Sequence, residues 1–300
     1  MADEQSQSGG GKGRFSETEH QQVLAGLRPK AAIVHEVIRE EGEEELARTV
    51  SALWWSGLAA GLSMGFSLVA EGLLRHHLPA AEWRPLVESF GYTVGFVIVV
   101  LGRQQLFTEN TLTVVIPVLT RRDRNCFLGM ARLWSVVLLA NLVGAAIFAA
   151  LAANAPIASP DLRSEFIAIA EEAFDGDFLA LLVQGLLAGW LIALMVWLLP
   201  AAGSARLFVI ILITYMVALG GFAHIIAGSV EVLYGVIAGR IGFLDYLGGY
   251  IVPVLIGNVA GGTALVAIVN HAQVHREVDE RRGGAADQAE RSRPAPESAE

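Results

Sequence analysis

Four uninterrupted apolar segments dominate this 300-residue chain, at residues 49–70, 133–153, 178–199 and 246–270. The hydrocarbon core of a bilayer is about 30 Å thick, so a helix needs about 20 apolar residues to cross it. Each of the four segments meets that requirement. Only 17% of the residues are charged and the mean hydropathy is +0.51, values that a water-soluble domain of this length rarely reaches. The sequence therefore predicts an all-α membrane protein.

Two further apolar segments are interrupted by polar residues. Residues 89–102 are too few to span, and Arg103, Gln104, Gln105 and Glu109 follow them before a second short run at 111–119. Residues 207–219 are also too few, and Gly220, Gly221 and His224 precede the apolar run 225–238. We therefore predict six transmembrane helices, of which the second and the fifth are broken.

Polar segments flank this apolar region. Residues 1–29 and 277–300 are polar and rich in small residues, a composition typical of disorder. Residues 30–47 place Ile33, Val34, Val37 and Ile38 at helical spacing, which predicts an amphipathic helix on the membrane surface or packed under the bundle. We divide the chain into a disordered acidic N-terminal tail with this short helix (1–45), a transmembrane domain (46–276) and a disordered C-terminal tail (277–300).

The distribution of arginine predicts the orientation, because cytoplasmic loops carry an excess of basic residues. One side of the predicted bundle has Arg48, Arg121, Arg122, Arg124, Arg132, Arg206, Arg276, Arg281 and Arg282, and the other has Arg75, Arg84, Arg163 and Arg240. This bias predicts that both termini are cytoplasmic, in agreement with an even number of spans. The net charge of −9 reflects acidic residues concentrated near the N-terminus and gives no indication of nucleic-acid binding.

The two halves of the apolar region contain similar motifs in the same order. GLAAG (57–61) in the first span corresponds to GLLAG (185–189) in the fourth, and NLVGA (141–145) in the third corresponds to NVAGG (258–262) in the sixth. Thr108 lies 33 positions before Asn141, and His224 lies 34 before Asn258. Because each half has three spans, the two repeats must be inverted relative to each other. Broken helices are tolerated at membrane depth where they line a cavity, so we expect the two breaks to meet near the midplane and line a pore.

Taken together, LFTEN (106–110), NLVG (141–144), GFAH (221–224) and IGNVAGG (256–262) resemble the motifs of the formate/nitrite transporter family. The resemblance covers about residues 46–272, including the order and spacing of all six spans, and is strongest to a less characterised inner-membrane branch of the family. It implies an aquaporin-like protomer, a homopentamer, and a pore in each protomer for small monovalent anions such as formate, nitrite or hydrosulfide. It also implies a bacterial inner (cytoplasmic) membrane location.

The family's functional positions carry over unevenly. Its central histidine matches His224, the threonine of its L-F-T loop matches Thr108, and the asparagine of its G-N-x-x-G-G motif matches Asn258. The acidic residue that usually precedes the histidine is replaced by Ala223, and an asparagine of the fourth span by Gly189. The segment 170–176, where the family often has a lysine, reads AEEAFDG. These departures concern the substrate rather than the fold.

His224 is a functional candidate because an ionisable residue within a span is expensive to bury. It could line the pore as a hydrogen-bond donor or proton relay, or it could be satisfied by a backbone carbonyl in a packed break. Thr108 and Asn258 can donate hydrogen bonds without carrying charge, and half-helix N-termini near Thr108 and His224 would offer unpaired N–H groups to an anion. Thr108 could equally cap its half-helix, and Asn258 could simply hold the fifth span's break in place.

Arg103 has two interpretations. It could attract anions in a vestibule, or it could form an ion pair with Glu109 or with Glu231 of the opposite repeat, and buried charges favour the second because they need partners. Apolar side chains are expected to flank the centre and to reject hydrated ions; the candidates are Phe96, Leu106, Val217 and Phe222.

The function that these residues favour is a channel or secondary transporter for small monovalent anions or their conjugate weak acids, with proton coupling through His224 as a further expectation. A pore for neutral small solutes and a non-transporting membrane sensor or scaffold remain as alternatives. We expect no enzymatic activity, since His224 and Ser229 lie on one short segment without a nucleophile elbow. We expect no cofactor and no bound metal; the expected partners are the substrate, membrane lipid and other copies of the chain, with no nucleic acid.

Overall fold

The computed structural model describes residues 31–154 and 158–274, and within these ranges it contains helices and no β-strand. The first half comprises α1 (Ala31–Ala47), α2 (Val50–His77), α3 (Arg84–Leu101), α4 (Asn110–Thr113), α5 (Val115–Arg121) and α6 (Arg124–Asn154). The second half comprises α7 (Pro160–Phe174), α8 (Phe178–Ala202), α9 (Arg206–Leu219), α10 (Ala227–Ile237) and α11 (Phe243–Val274). The predicted disordered tails lie largely outside the described residues.

Five helical stretches in the described ranges are long and apolar enough to cross a membrane. They are α2, α3, α6, the continuous stretch Phe178–Leu219 that joins α8 to α9, and α11. α10 is apolar but has only 11 residues. It follows α9 as α4 and α5 follow α3, so each half contains a helix that stops within the bundle and resumes, at the places where the sequence predicts the second and fifth spans to be broken.

The first membrane-spanning helix of the first half, α2, runs in the opposite direction to that of the second half, α8. α2 begins beside α1, and Arg75 in its last turn forms ion pairs with Glu165 (3.0 Å) and Glu172 (2.6 Å) of α7. α8 begins just after α7, and its last turn, at Pro200, lines a cavity together with Glu41 of α1. We call the two ends of the bundle the α1 face and the α7 face. The opposite courses of α2 and α8 agree with the predicted inverted repeats.

Small residues allow the helices of each half to pack at close range. A Cβ atom at Gly61 of α2 would overlap the backbone oxygen of Asn141 in α6, and a Cβ atom at Gly189 of α8 would overlap that of Asn258 in α11. No side chain larger than hydrogen fits at either crossing. The GLAAG and GLLAG motifs therefore perform the same packing role in the two halves.

The N-terminal helix α1 packs under the bundle. A Cβ atom at Gly42 would overlap the backbone oxygen of Thr113 in α4, and Pro117 of α5 lies beside the same position. Arg39 pairs with Glu36 (2.6 Å) and Glu43 (2.7 Å) on the outer side of the helix. Of the two locations that its sequence pattern allows, the structure shows the one against the bundle.

Candidate pore site

The break between α3 and α4 is held by one asparagine of α6. The side-chain oxygen of Asn141 accepts a hydrogen bond from the backbone N–H of Phe107 (2.9 Å), and its amide nitrogen donates to the backbone oxygens of Gly57 (2.7 Å) and Gln105 (2.8 Å). Asn141 is fully buried. Its side chain thus satisfies backbone groups that the broken helix leaves without partners, as a low-dielectric interior requires.

The break between α9 and α10 is held in the same way by Asn258 of α11. Its side-chain oxygen accepts from the N–H of Ile225 (2.9 Å), and its amide nitrogen donates to the oxygens of Gly185 (2.8 Å) and Ala223 (2.9 Å). Both amide hydrogens are occupied, so Asn258 has no free donor for a solute. Of the two roles expected for Asn258, these hydrogen bonds are those of a residue that holds the break in place.

The hydrogen bonds also establish which residues of the two breaks are equivalent. Phe107 corresponds to Ile225, so Thr108 corresponds to Ile226 and Leu106 to His224. Thr108 and His224, which their spacing to Asn141 and Asn258 had paired, thus differ by two positions between the repeats.

Each break begins with the same helix ending. The N–H of Gln104 donates to the oxygen of Val99 (3.0 Å) at the end of α3, and that of Phe222 donates to the oxygen of Val217 (3.0 Å) at the end of α9. This six-to-one hydrogen bond requires a left-handed residue after the helix. Gly221 fills that position in the second half with φ 60°, whereas Arg103 fills it in the first half with φ 50°. A non-glycine residue in this conformation is uncommon and strained.

Thr108 and His224 meet at the centre of the bundle although they are not equivalent. The Oγ1 atom of Thr108 lies 2.7 Å from Nε2 of His224, and both residues are essentially unexposed. The ring of Phe96 stands edge-on to the imidazole with its centroid 4.9 Å away. The two breaks thus meet through this pair, as the inverted-repeat hypothesis requires.

The other imidazole nitrogen fixes the tautomer of the ring. Nδ1 of His224 faces the backbone N–H groups of Ile226 (3.3 Å) and Ala227 (3.2 Å), at the start of α10. Nδ1 must therefore act as an acceptor, and the hydrogen of the neutral ring lies on Nε2. Nε2 donates to Thr108, which leaves the hydroxyl hydrogen of Thr108 free. The N–H groups at the start of α10, which we expected to face an anion, instead face His224.

The bundle has a cavity on each face, and the one on the α7 face is lined by His224 of this pair. On the α7 face, a cavity of about 270 Å³ is lined by His224, Val217, Phe222 and Glu231, among others. On the α1 face, a cavity of about 210 Å³ is lined by residues that include Arg103, Gln105, Glu109 and Arg206.

The four apolar candidates for the constriction differ in position. Phe96 and Leu106 are fully buried and line neither cavity. Val217 and Phe222 belong to the wall of the α7-face cavity.

Arg103 forms neither of the expected ion pairs. Glu231 lines the α7-face cavity and Arg103 the α1-face cavity, so these two residues are separated by the centre of the bundle. Glu109 lines the same cavity as Arg103, yet the ion pairs of the described residues do not include the two. Arg103 is exposed at the mouth of this cavity, and an exposed charge does not need the partner that a buried one requires.

Several residues that line the α7-face cavity were not among the predicted site residues. Glu71 of α2, Tyr92 of α3 and Tyr250 of α11 line its wall, and the hydroxyl of Tyr250 donates to the backbone oxygen of His224 (3.3 Å). An available signal was the carboxylate of Glu71 within a helix. It was overlooked because the apolar run ends at Ala70, whereas α2 continues to His77.

A helical membrane protein in which two inverted halves bring broken helices to a buried polar pair, with a cavity on either side, has the architecture of an aquaporin-like channel or transporter. The model of the family described as formate/nitrite transporter matches residues 32–272. The chain belongs to that family, and the predicted all-α membrane fold of the aquaporin-like type is confirmed.

Relatives of known sequence agree with this assignment. The inner membrane protein YfdC of Escherichia coli is 43% identical over 267 residues, which cover 89% of this chain and 86% of that protein. The formate channel BtFdhC of Bacillus thuringiensis is 26% identical over 250 residues, covering 80% and 93% of the two chains. This chain is thus a multi-pass inner-membrane protein of a transport family, and the expectation that it is not an enzyme is confirmed.

Solved structures show the same fold. A pentameric formate channel with formate bound has a TM-score of 0.61 at 21% identity, covering 73% of this chain and 95% of the other. An FNT family ion channel has a TM-score of 0.64 at 20% identity, covering 79% and 94%.

Proposed function

We propose that this protein passes formate or a related small monovalent anion, or its conjugate acid, through a pore within each protomer. The observation that carries the proposal is the contact between Thr108 and His224, buried at the meeting point of the two broken helices between cavities on opposite faces. The names of the similar formate channels support the class of substrate.

The chemistry of the pair suits a small acceptor solute. An anion that enters a dry constriction loses hydrogen bonds to water, a loss that the protein must compensate. The free hydroxyl hydrogen of Thr108 can supply one hydrogen bond, and donation from Nε2 of His224 polarises that hydroxyl. Phe96, whose ring contacts the imidazole, contributes an apolar wall that disfavours hydrated ions.

His224 acts in this proposal as a hydrogen-bond donor. To deliver a proton, a neutral imidazole must first take up a second one at Nδ1, but Nδ1 is occupied by the N–H groups of Ile226 and Ala227. We therefore assign any transported proton to the solute, which would cross as a weak acid, and not to a relay through the ring.

We further propose that the protein assembles as a homopentamer, as the name of the similar pentameric formate channel suggests, and that the α1 face is cytoplasmic. The orientation rests on the arginines near that face, among them Arg121, Arg122, Arg124 and Arg132. Labelling from outside the cell of single cysteines, placed at 123 and 161 in a cysteine-free protein, tests it. Reaction at 161 alone is expected, and reaction at 123 alone would reverse the orientation.

A flux screen in proteoliposomes tests the function. Formate, nitrite, hydrosulfide, acetate, lactate and glycerol are compared at two pH values, with empty liposomes as the reference. We expect flux of formate or another small anion to exceed that of glycerol, and to increase as lower pH provides more weak acid. Flux of glycerol alone would indicate a pore for neutral solutes, and absence of all flux would favour a sensor or scaffold.

A further inference from the structure

The α7-face cavity contains two carboxylates that have no partner. Glu231 of α10 is only 6% exposed and lines the cavity that also holds His224. Glu71 of α2 lines the same cavity. Among the described residues, neither carboxylate takes part in a hydrogen bond or an ion pair. A buried ionised carboxylate without a partner is strongly disfavoured, and a second one nearby adds repulsion.

The basic residues nearby are engaged elsewhere. Arg75 pairs with Glu165 and Glu172 and lies 3.9 Å from Glu88, and Arg84 pairs with Glu88 at 3.2 Å. The charged and titratable groups around Glu231 are Glu71 and Arg75 of α2, Glu88 and Tyr92 of α3, Glu172 of α7 with Asp175 beyond it, Tyr246 and Tyr250 of α11, and His224. α6, which also packs against α10, has no charged residue after Arg132. Among the residues that the structure describes, the cavity wall contains Glu71, Glu172, Asp175 and Glu231 and no lysine or arginine.

This arrangement favours a ligand with a single positive charge. A divalent metal is disfavoured, because the described residues contain no cluster of three or more metal-binding side chains. A proton needs only one carboxylate oxygen, and an alkali cation can be held by carboxylate and tyrosine oxygens together with water. Either would remove the unpaired charge that the cavity otherwise buries.

We propose that Glu231 and Glu71 form a binding site for one monovalent positive charge, a proton or an alkali cation, in the cavity next to His224. The two carboxylates, on α2 and α10, are distinct from the Thr108–His224 contact, although His224 lines the same cavity. It neutralises the approach to the pore from the α7 face. Its occupancy is a property of the protein at rest and can be measured without any transported solute.

The test uses the full-length protein in lipid nanodiscs and does not measure transport. Infrared difference spectra, recorded in choline buffer at neutral and at high pH, detect the carbonyl band of a protonated carboxylic acid. Titration calorimetry with sodium and potassium chloride, with choline chloride as the blank, detects alkali binding. The variants are Glu231→Gln and Glu71→Gln, which preserve shape, and the matched control is Glu171→Gln, a surface glutamate of α7 paired with Arg240.

For a proton, we expect a carbonyl band at neutral pH that Glu231→Gln or Glu71→Gln reduces by half or more and Glu171→Gln leaves unchanged. For an alkali cation, we expect saturable heat that the same two variants abolish. The proposal is overturned if the wild-type protein shows neither signal, or if a signal persists unchanged in both cavity variants. If one substitution prevents folding, the wild-type spectra and the other cavity variant still decide between these outcomes.

Discussion

Asn141 and Asn258 make the same three hydrogen bonds in the two halves of the protein. Each accepts one backbone N–H from a helix break and donates to two backbone oxygens, one in the break and one at a glycine of the neighbouring helix. Because the halves are inverted, the two asparagines hold the centre of the bundle from opposite sides.

Replacement of either asparagine should destabilise the protein strongly. Asn141→Ala would leave the N–H of Phe107 and the carbonyl of Gln105 without partners, and each buried unsatisfied group costs about 1–3 kcal/mol. We expect the free energy of unfolding to fall by roughly 3 kcal/mol or more, and a matching drop in the melting temperature in detergent. Asn154→Ala is the control, because that side chain bonds within its own helix at an exposed position. Equal melting of the two variants would refute the assigned role.

The helix crossings at glycine should be equally sensitive to substitution. Gly189→Ala would drive a Cβ atom into the backbone of Asn258, and such overpacking costs about 1–3 kcal/mol. Gly129→Ala meets only the side chain of Leu46 at an ordinary contact distance of 3.5 Å and should be tolerated. Thermal unfolding of the two variants side by side measures the difference. A Gly189→Ala protein as stable as Gly129→Ala would contradict the close packing of α8 on α11.

Removal of the Thr108 hydroxyl should reduce anion flux and also lower the stability moderately, because the buried Nε2–H of His224 loses its acceptor. Thr108→Val has nearly the same shape but cannot donate to a solute, and a hydrogen bond to a charged group contributes about 1.5–3 kcal/mol. If that contribution is made at the barrier, the flux falls roughly 10- to 100-fold. Thr108→Ser retains the hydroxyl and should keep most of the flux. Flux is measured in proteoliposomes after size-exclusion chromatography; equal loss in both variants would mean that packing matters and not the hydroxyl.

The strained backbone at Arg103 gives a fourth prediction. Arg103→Gly should raise the free energy of unfolding by about 1 kcal/mol, because glycine adopts a positive φ without the steric cost of a Cβ atom. The equivalent position in the second half supplies the converse control. Gly221→Ala meets no atom within 4 Å, so its expected loss of about 1 kcal/mol would come from the backbone alone.

The same Arg103→Gly variant should carry less anion if the guanidinium attracts anions into the α1-face cavity. Arg103→Lys, which keeps the charge, should restore part of the flux. A stabilised Arg103→Gly protein with unchanged flux would leave the arginine without a role in transport.

The architecture could be predicted from the sequence because a membrane restricts the composition and the length of the segments that cross it. Apolar runs of sufficient length predicted the helices, and polar residues that interrupt two of them predicted the breaks. The small-residue motifs predicted the repeats, since glycines are needed wherever two backbones cross closely, as at Gly61 and Gly189.

Contacts between the two halves were harder to predict from the sequence. The equivalence of Phe107 with Ile225 depends on hydrogen bonds to Asn141 and Asn258, and a difference of one or two residues in spacing cannot be resolved without them. The position of Glu71 opposite Glu231 depends on how α2 and α10 are rotated, which hydropathy does not record. The separation of Arg103 from Glu231 likewise follows from the inversion of the halves, not from the residue types.

The uneven distribution of charge between the two cavities has a consequence for direction. The cavity wall on the α1 face has two arginines and three glutamates, whereas the described residues of the α7-face wall include four carboxylates and no lysine or arginine. An anion therefore meets different energy barriers from the two sides, and opposite gradients of equal size need not drive equal currents. Such a pore would rectify, and the preferred direction would be set by which face the cell turns outward.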